Sequence, residues 1–240
     1  MRGDVRTIAA LLLIIAVHSG CTSPEVPTSA PTTQETPVNA PTRSSAADQA
    51  LLQAAADGDA DAARQALADG ADADARDTED RPAVLIATRA DHVEVATVLL
   101  EHGADPNAKD AIQDSAFLYA GAEGLDEILE ATLRHGADVT STNRYGGTAL
   151  IPASEHGHVS TVKILLEAGV PVDHVNNLSW TALHEVIVLG TCSEDHVETA
   201  RLLIEAGADV TIPDGAGTSP RDLAAQHGCQ QIVDLIDNAG

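Results

Sequence analysis

The sequence predicts an all-α fold built as a stack of repeated helix pairs. The chain has only four aromatic residues (one Trp, two Tyr, one Phe), although 44% of its residues are hydrophobic. Its core must therefore consist mainly of Ala, Leu, Val and Ile, which suits closely packed helices better than a β-sandwich. A Gly-Ala-Asp triplet also recurs, with a variant in one unit, and the successive glycines are 33, 33, 33 and 38 residues apart. These glycines are Gly70, Gly103, Gly136, Gly169 and Gly207.

Each repeated unit is predicted to contain two short helices joined by a turn. Apolar residues recur at helical spacing in 159–166, and the glycine that follows can take the left-handed conformation that ends a helix. We expect Thr148 and Thr181 to cap the N-termini of two first helices with their hydroxyl groups. One helix pair cannot bury its own apolar face, so stability must come from stacking several units.

The period and its motifs resemble the ankyrin repeat. The Thr-Pro-Leu-His element of that family has counterparts at Thr148-Ala149-Leu150-Ile151, Thr181-Ala182-Leu183-His184 and Ser219-Pro220-Arg221-Asp222-Leu223-Ala224. The resemblance covers residues 46–240 and implies an ankyrin-repeat solenoid of helix-turn-helix units with short β-hairpin-like loops. The six expected units span about 46–76, 77–109, 110–142, 143–175, 176–213 and 214–240.

Residues 1–20 are typical of a signal peptide. A basic start precedes an unbroken apolar run from Ile8 to Val17, which is too short to span a bilayer. Ser19-Gly20-Cys21 resembles a bacterial lipobox, although His18 stands where that family usually has an aliphatic residue. The resemblance implies that Cys21 is lipidated and anchors the mature protein, facing the periplasm or the cell exterior. Ordinary secretion with an unmodified cysteine is the alternative, and either route exports the chain.

A disordered tether is predicted for residues 21–45. Prolines lie among Thr, Ser and Ala without any apolar period, so the segment cannot bury enough surface to offset the entropy of ordering it. We expect it to act as a spacer in front of the repeat domain.

Cys192 and Cys229 occupy equivalent inter-helix turns in the fifth and sixth units. The fifth unit carries an insertion in residues 190–196, which lengthens its reach toward the next unit. In an exported protein this arrangement predicts a disulfide. Two unpaired thiols are the alternative.

Composition and motifs offer no support for an enzyme. The formal net charge of −24 would repel nucleic acid. The sequence carries no metal-binding, phosphate-binding or nucleophile motif, so no cofactor, metal or catalytic residue is assigned. His92, His158 and His196 map to inter-helix turns and His184 to the Thr-Pro-Leu-His element, so we expect these histidines to be structural.

Recognition of another protein is the function that the resemblance implies. The concave surface of such a solenoid consists of hairpin tips and first helices, and aromatic and arginine residues are enriched at interfaces. The candidate partner-binding residues lie at tips or at expected exposed positions of first helices, whereas Phe117 is expected in the core. They are Tyr119, Arg144, Tyr145, Glu155, His156, Trp180 and Glu185. Tyr145 and Trp180 could instead fold back as cover over the solenoid.

The sequence thus predicts a lipid-anchored, monomeric protein-binding module of the bacterial cell envelope, with an acidic surface suited to a basic partner. Two narrower functions remain open. One is an envelope inhibitor or immunity protein that blocks a toxin or hydrolase. The other, implied by resemblance to some exported bacterial ankyrin proteins, is an accessory factor for an exported oxidative-stress enzyme.

Overall fold

The fold is all-α, as predicted. The computed structural model describes residues 45–239, so the predicted signal peptide, Cys21 and nearly all of the tether lie outside the described residues. The described part contains twelve helices, α1 to α12 in chain order. They are Ala46–Asp57, Ala60–Ala68, Ala83–Arg89, Val93–Glu101, Ala116–Glu123, Asp126–Arg134, Leu150–His156, Val159–Glu167, Ala182–Val188, Glu194–Glu205, Pro220–His227 and Gln230–Asp237.

The helices are arranged as pairs that stack in chain order. Odd-numbered helices pack against the next odd-numbered helix, and even-numbered helices do the same, which gives two rows. The core lies where the rows meet, and Leu99, Phe117, Ile128 and Leu165 are completely buried there. Phe117 is therefore a core residue, as predicted. Stacking supplies each pair with the apolar cover that it lacks alone.

Helix ends follow the sequence signals with one exception. Thr181 is the N-cap residue of α9, and its backbone N–H donates to Nδ1 of His184 at 3.1 Å. The prediction for Thr148 was wrong, because α7 begins at Leu150 and the buried Thr148 hydroxyl has no hydrogen-bond partner among residues 45–239. Pro152 has no N–H to donate to the Thr148 carbonyl. The N–H of Ile151 donates to it instead at 3.2 Å, which tightens the first turn.

Histidines at or near the starts of second helices join neighbouring units. His92 precedes α4, and its Nε2 lies 3.2 Å from the carbonyl oxygen of Ala56 in the preceding unit. His196 makes the corresponding contact with the Glu155 oxygen at 2.9 Å. It lies inside α10 rather than at the turn, because Ser193 caps that helix and the insertion extends it at its N-terminus. These histidines are structural, in line with the sequence-based expectation.

The loops between units share one backbone turn. In each, an Asp or Asn side-chain oxygen accepts hydrogen bonds from the backbone N–H groups two and four residues later, which is an Asx-type turn. The distances lie between 2.8 and 3.1 Å. The five residues are Asp77, Asp110, Asn143, Asn176 and Asp214. We call each turn a tip.

Candidate protein-binding surface

First helices and tips of the central units enclose a pocket of about 450 Å³, which is within the size range of ligand sites. We call it the central pocket. Its lining is Arg89, Ile112, Asp114, Leu118, Tyr119, Ala122, Glu123, Asn143, Arg144, Tyr145, Gly147, Ile151, Pro152, Glu155, Asn176, Leu178, Glu185 and Leu189.

Apolar side chains form much of the pocket's exposed lining. Ile112, Tyr145, Leu178 and Leu189 are 48%, 56%, 57% and 47% exposed. Together with Val175, near Leu178 in sequence, they are the large hydrophobic side chains that stand exposed in residues 45–239. Exposed apolar side chains that cluster in one place are typical of interaction sites.

Two arginines in the pocket are already held by acidic and aromatic neighbours. Arg89 contacts Asp110 at 3.1 Å and Asp114 at 2.8 Å, and its guanidinium lies 4.9 Å from the Tyr119 ring centroid. Arg144 lies 3.4 Å from Asp114. Burial raises the pKa of Asp114, although the two guanidinium groups oppose that shift. The arginines and Asp114 therefore form a pre-assembled polar network on one side of the pocket.

Glu185 differs from the prediction, because it is buried rather than exposed. It is 4% exposed, and Nδ2 of Asn176 donates to its Oε1 at 2.9 Å. A side chain of the Asn176 tip thus bonds to a residue of α9, and little of the Glu185 side chain remains exposed at the pocket. Burial raises the pKa of Glu185 to about 7, and the nearby Glu155 adds to the shift.

The structure brings together five of the seven predicted partner-binding residues. Tyr119, Arg144, Tyr145, Glu155 and Glu185 all line the central pocket. Tyr145 is more than half exposed and its ring lies 4.7 Å from the Arg144 guanidinium, which favours an interface role over a role as cover.

The other two predicted residues, His156 and Trp180, do not line the pocket. His156 is exposed, and its Nδ1 lies 3.0 Å from the Ala122 carbonyl oxygen. Trp180 is half-buried, and its backbone N–H donates to Asn176 as part of a tip. The His156 contact joins it to the preceding unit, beside the pocket.

Sequence reasoning missed several lining residues that the repeat period could have revealed. Ile112, Tyr145 and Leu178 are spaced by 33 residues and occupy the same position in successive tips. Tyr119, Pro152 and Glu185 have the same spacing on three first helices. Adding the period to Tyr119 and Tyr145 would therefore have found Pro152, Ile112 and Leu178.

The predicted disulfide is present. Cys192 and Cys229 are bonded, with their Cα atoms 5.5 Å apart.

Within the described range, no group of three or more His, Cys, Asp or Glu residues is placed to hold a metal ion. None of the helices between residues 45 and 239 is both long and apolar enough to cross a bilayer.

Comparisons with known proteins agree with this architecture. A family model described as ankyrin repeats (3 copies) matches residues 12–110 and 117–214. An ankyrin repeat domain from Acinetobacter baumannii is 49% identical with a TM-score of 0.78, and the match covers 79% of this chain and 97% of that one. The ankyrin repeat protein EF0377 is 39% identical with a TM-score of 0.76 over the same shares of the two chains, 79% and 97%. No curated protein matches the chain.

Proposed function

This chain belongs to the ankyrin repeat family, and we propose that it is a protein-binding scaffold whose partner docks on the central pocket. Domains of this family are typically binding modules without catalytic activity, and their repeats imply protein partners in general. The observation that carries the proposal is the gathering of exposed apolar side chains around one pocket of a surface that is otherwise strongly acidic. Interfaces combine such an apolar centre with a polar rim.

We also propose that the scaffold works outside the cytoplasm as a lipoprotein of the bacterial cell envelope. The disulfide between Cys192 and Cys229 supports export, because disulfides persist in oxidising compartments. The N-terminal sequence supports lipidation at Cys21. Replacing Cys21 by Ser should release the protein from the membrane fraction, and the intact mass of the wild-type protein should carry the acyl chains. Wild-type protein that lacks acyl chains would contradict the anchor and leave simple secretion.

Mild crosslinking in the native envelope, followed by affinity capture, tests the docking surface. Tyr145→Ala removes the aromatic side chain at the pocket and should abolish capture of the partner. Lys163→Ala is the matched control, because it shortens an exposed side chain on α8, in the other row of helices. Capture that is unchanged by Tyr145→Ala would refute docking at this pocket. The captured protein itself would separate a toxin or hydrolase from an oxidative-stress enzyme.

A further inference from the structure

The lining of the central pocket includes a buried carboxylate without a cationic partner. Glu185 is 4% exposed, and Asn176 donates to Oε1 only. Among the described residues its Oε2 accepts no hydrogen bond, and no Lys, Arg or His forms an ion pair with it. A charge taken out of water is costly unless it is paired. In the free domain the Glu185 carboxylate therefore lacks a cationic partner, which a ligand can supply.

The remaining charges of the pocket favour a positive ligand. Glu123 and Glu155 line the same pocket as Glu185, and neither forms an ion pair among the described residues. Arg89 and Arg144 are the lining cations, and both already contact Asp114. An anionic ligand would have to compete with that carboxylate, whereas a cation would meet uncompensated negative charge.

The apolar part of the pocket fits the stem of a long basic side chain. Ile112, Leu178 and Leu189 line it and are about half exposed in the free domain. Lys and Arg carry several methylene groups that pack on apolar surface while the charged head reaches a polar partner. Such a side chain would cover the apolar residues and bring its cation to Glu185.

We propose that the central pocket receives a lysine or arginine side chain of the partner protein, with Glu185 as the carboxylate that binds its cationic head. This inference rests on the proposed protein-binding function and names the chemistry of the partner. Glu155 adds negative charge beside Glu185, and the apolar lining residues hold the aliphatic stem.

Small probes test this chemistry directly. n-Butylguanidinium and n-butylammonium represent the two basic side chains, n-butylurea is a neutral analogue of the first, and pentanoate is an anion of similar length. Ligand efficiencies for fragments predict a Kd on the order of 1–10 mM, which NMR titration of the full-length chain measures through backbone amide shifts. The titration is performed at about pH 8, where Glu185 is mostly ionised.

The expected result is that both cations bind at the pocket about tenfold more tightly than n-butylurea, because a positive charge adds Coulomb attraction to the Glu185 carboxylate that the neutral urea lacks. Glu185→Gln should remove this preference. Glu127→Gln, which deletes one exposed charge on α6 outside the pocket, should leave it intact. Glu155→Gln should reduce the preference partly, and it serves as the pocket variant if Glu185→Gln fails to fold.

Three results would overturn the inference: equal binding of cations and n-butylurea, stronger binding of pentanoate, or no saturable binding of either cation. The envelope capture experiment separates this failure from failure of the proposed function. If Tyr145→Ala abolishes partner capture and Glu185→Gln does not, the docking surface stands and the basic side chain is refuted. If neither variant affects capture, the pocket is not the docking surface.

Discussion

Glu185→Gln should stabilise the free protein at alkaline pH. The folded state raises the pKa of Glu185 from 4.5 to about 7, so it binds this proton more tightly than the unfolded chain does. Stability is therefore fully present below the unfolded pKa and is lost as the pH rises through the folded pKa. At 1.36 kcal/mol per pKa unit the full loss is about 3 kcal/mol, and access of water through the pocket reduces the expected value to about 2 kcal/mol.

Urea unfolding at constant ionic strength between about pH 5 and 8.5 measures this effect as a difference between wild type and variant. Gln keeps a carbonyl oxygen that can accept from Asn176, so the difference should be near zero at the acidic end and should reach about 2 kcal/mol in favour of the variant at the alkaline end. Burial lowers the pKa values of His158 and His184, which gives stability that is lost as the pH falls. Both histidines are present in both proteins, so their contributions cancel.

The exposed Glu127→Gln variant supplies the control, because it removes one negative charge outside the pocket, and an effect that both variants share would reflect net charge alone. Parallel curves of wild type and Glu185→Gln would contradict a raised pKa of Glu185 in the folded state. A variant that is less stable than wild type at alkaline pH would contradict it as well, because the carboxylate would then be favourably bound in the folded state.

Three further substitutions test the crosslink and the close packing of the stack. Changing both Cys192 and Cys229 to Ser removes a crosslink that spans 37 residues and should lower the free energy of unfolding by about 4 kcal/mol. The urea midpoint should fall, and adding reductant to the wild-type protein should lower its midpoint by the same amount. Gly121→Ala should lower the free energy of unfolding by about 1–3 kcal/mol despite the better helix propensity of Ala, because the added Cβ would lie 2.7 Å from Cβ of Ala149. In a double-mutant cycle, Ala149→Gly should relieve this clash, so the double variant should be more stable than the sum of the single effects predicts. Additive effects would contradict the clash. Phe117→Ala should cost about 3–5 kcal/mol in the same unfolding assay, since the ring is completely buried, and a loss below about 1 kcal/mol would count against a close-packed core.

The repeat architecture was predictable because it depends on local signals that recur. The glycine of each Gly-Ala-Asp triplet has a positive φ, and in Gly70 it is 92°. The aspartate two residues later accepts from a backbone N–H, as Asp72 does from Asp74 at 3.0 Å. Such contacts involve neighbours in sequence, so a one-dimensional pattern is enough to indicate them. Thr148 shows where the pattern fails, because a nearby proline changes which N–H is available to start the helix.

The pocket was only partly predictable because it depends on contacts between units. Glu185 was assigned to the exposed side of its helix from its position in the repeat. In the structure it is buried and accepts a hydrogen bond from Asn176, nine residues earlier in the preceding tip. The apolar neighbours Ile112 and Leu178 come from tips 66 residues apart, which is two periods of the repeat, so the period relates their positions but does not show that they share a pocket. Only the stacking of three units places them around one cavity.

Much of the acidity of this chain serves the repeat itself, so net charge alone is a weak guide to the partner. Asp74 accepts from the backbone N–H of Asp105 in the next unit at 2.8 Å, and Asp173 accepts from Asp209 at 2.9 Å. Carboxylates of this kind are fixed by the stack and recur with it.

Glu185 does not follow that pattern. The two preceding units carry Tyr119 and Pro152 at the equivalent position of their first helices. The type of side chain at this position therefore differs between units, although all three residues line one pocket. A repeat that keeps the Asx-type turn of its tips while varying these positions separates stability from recognition. The varied positions are therefore where a substitution should change the partner without unfolding the stack, and the contrast between Glu185→Gln and Gly121→Ala tests that separation in one protein.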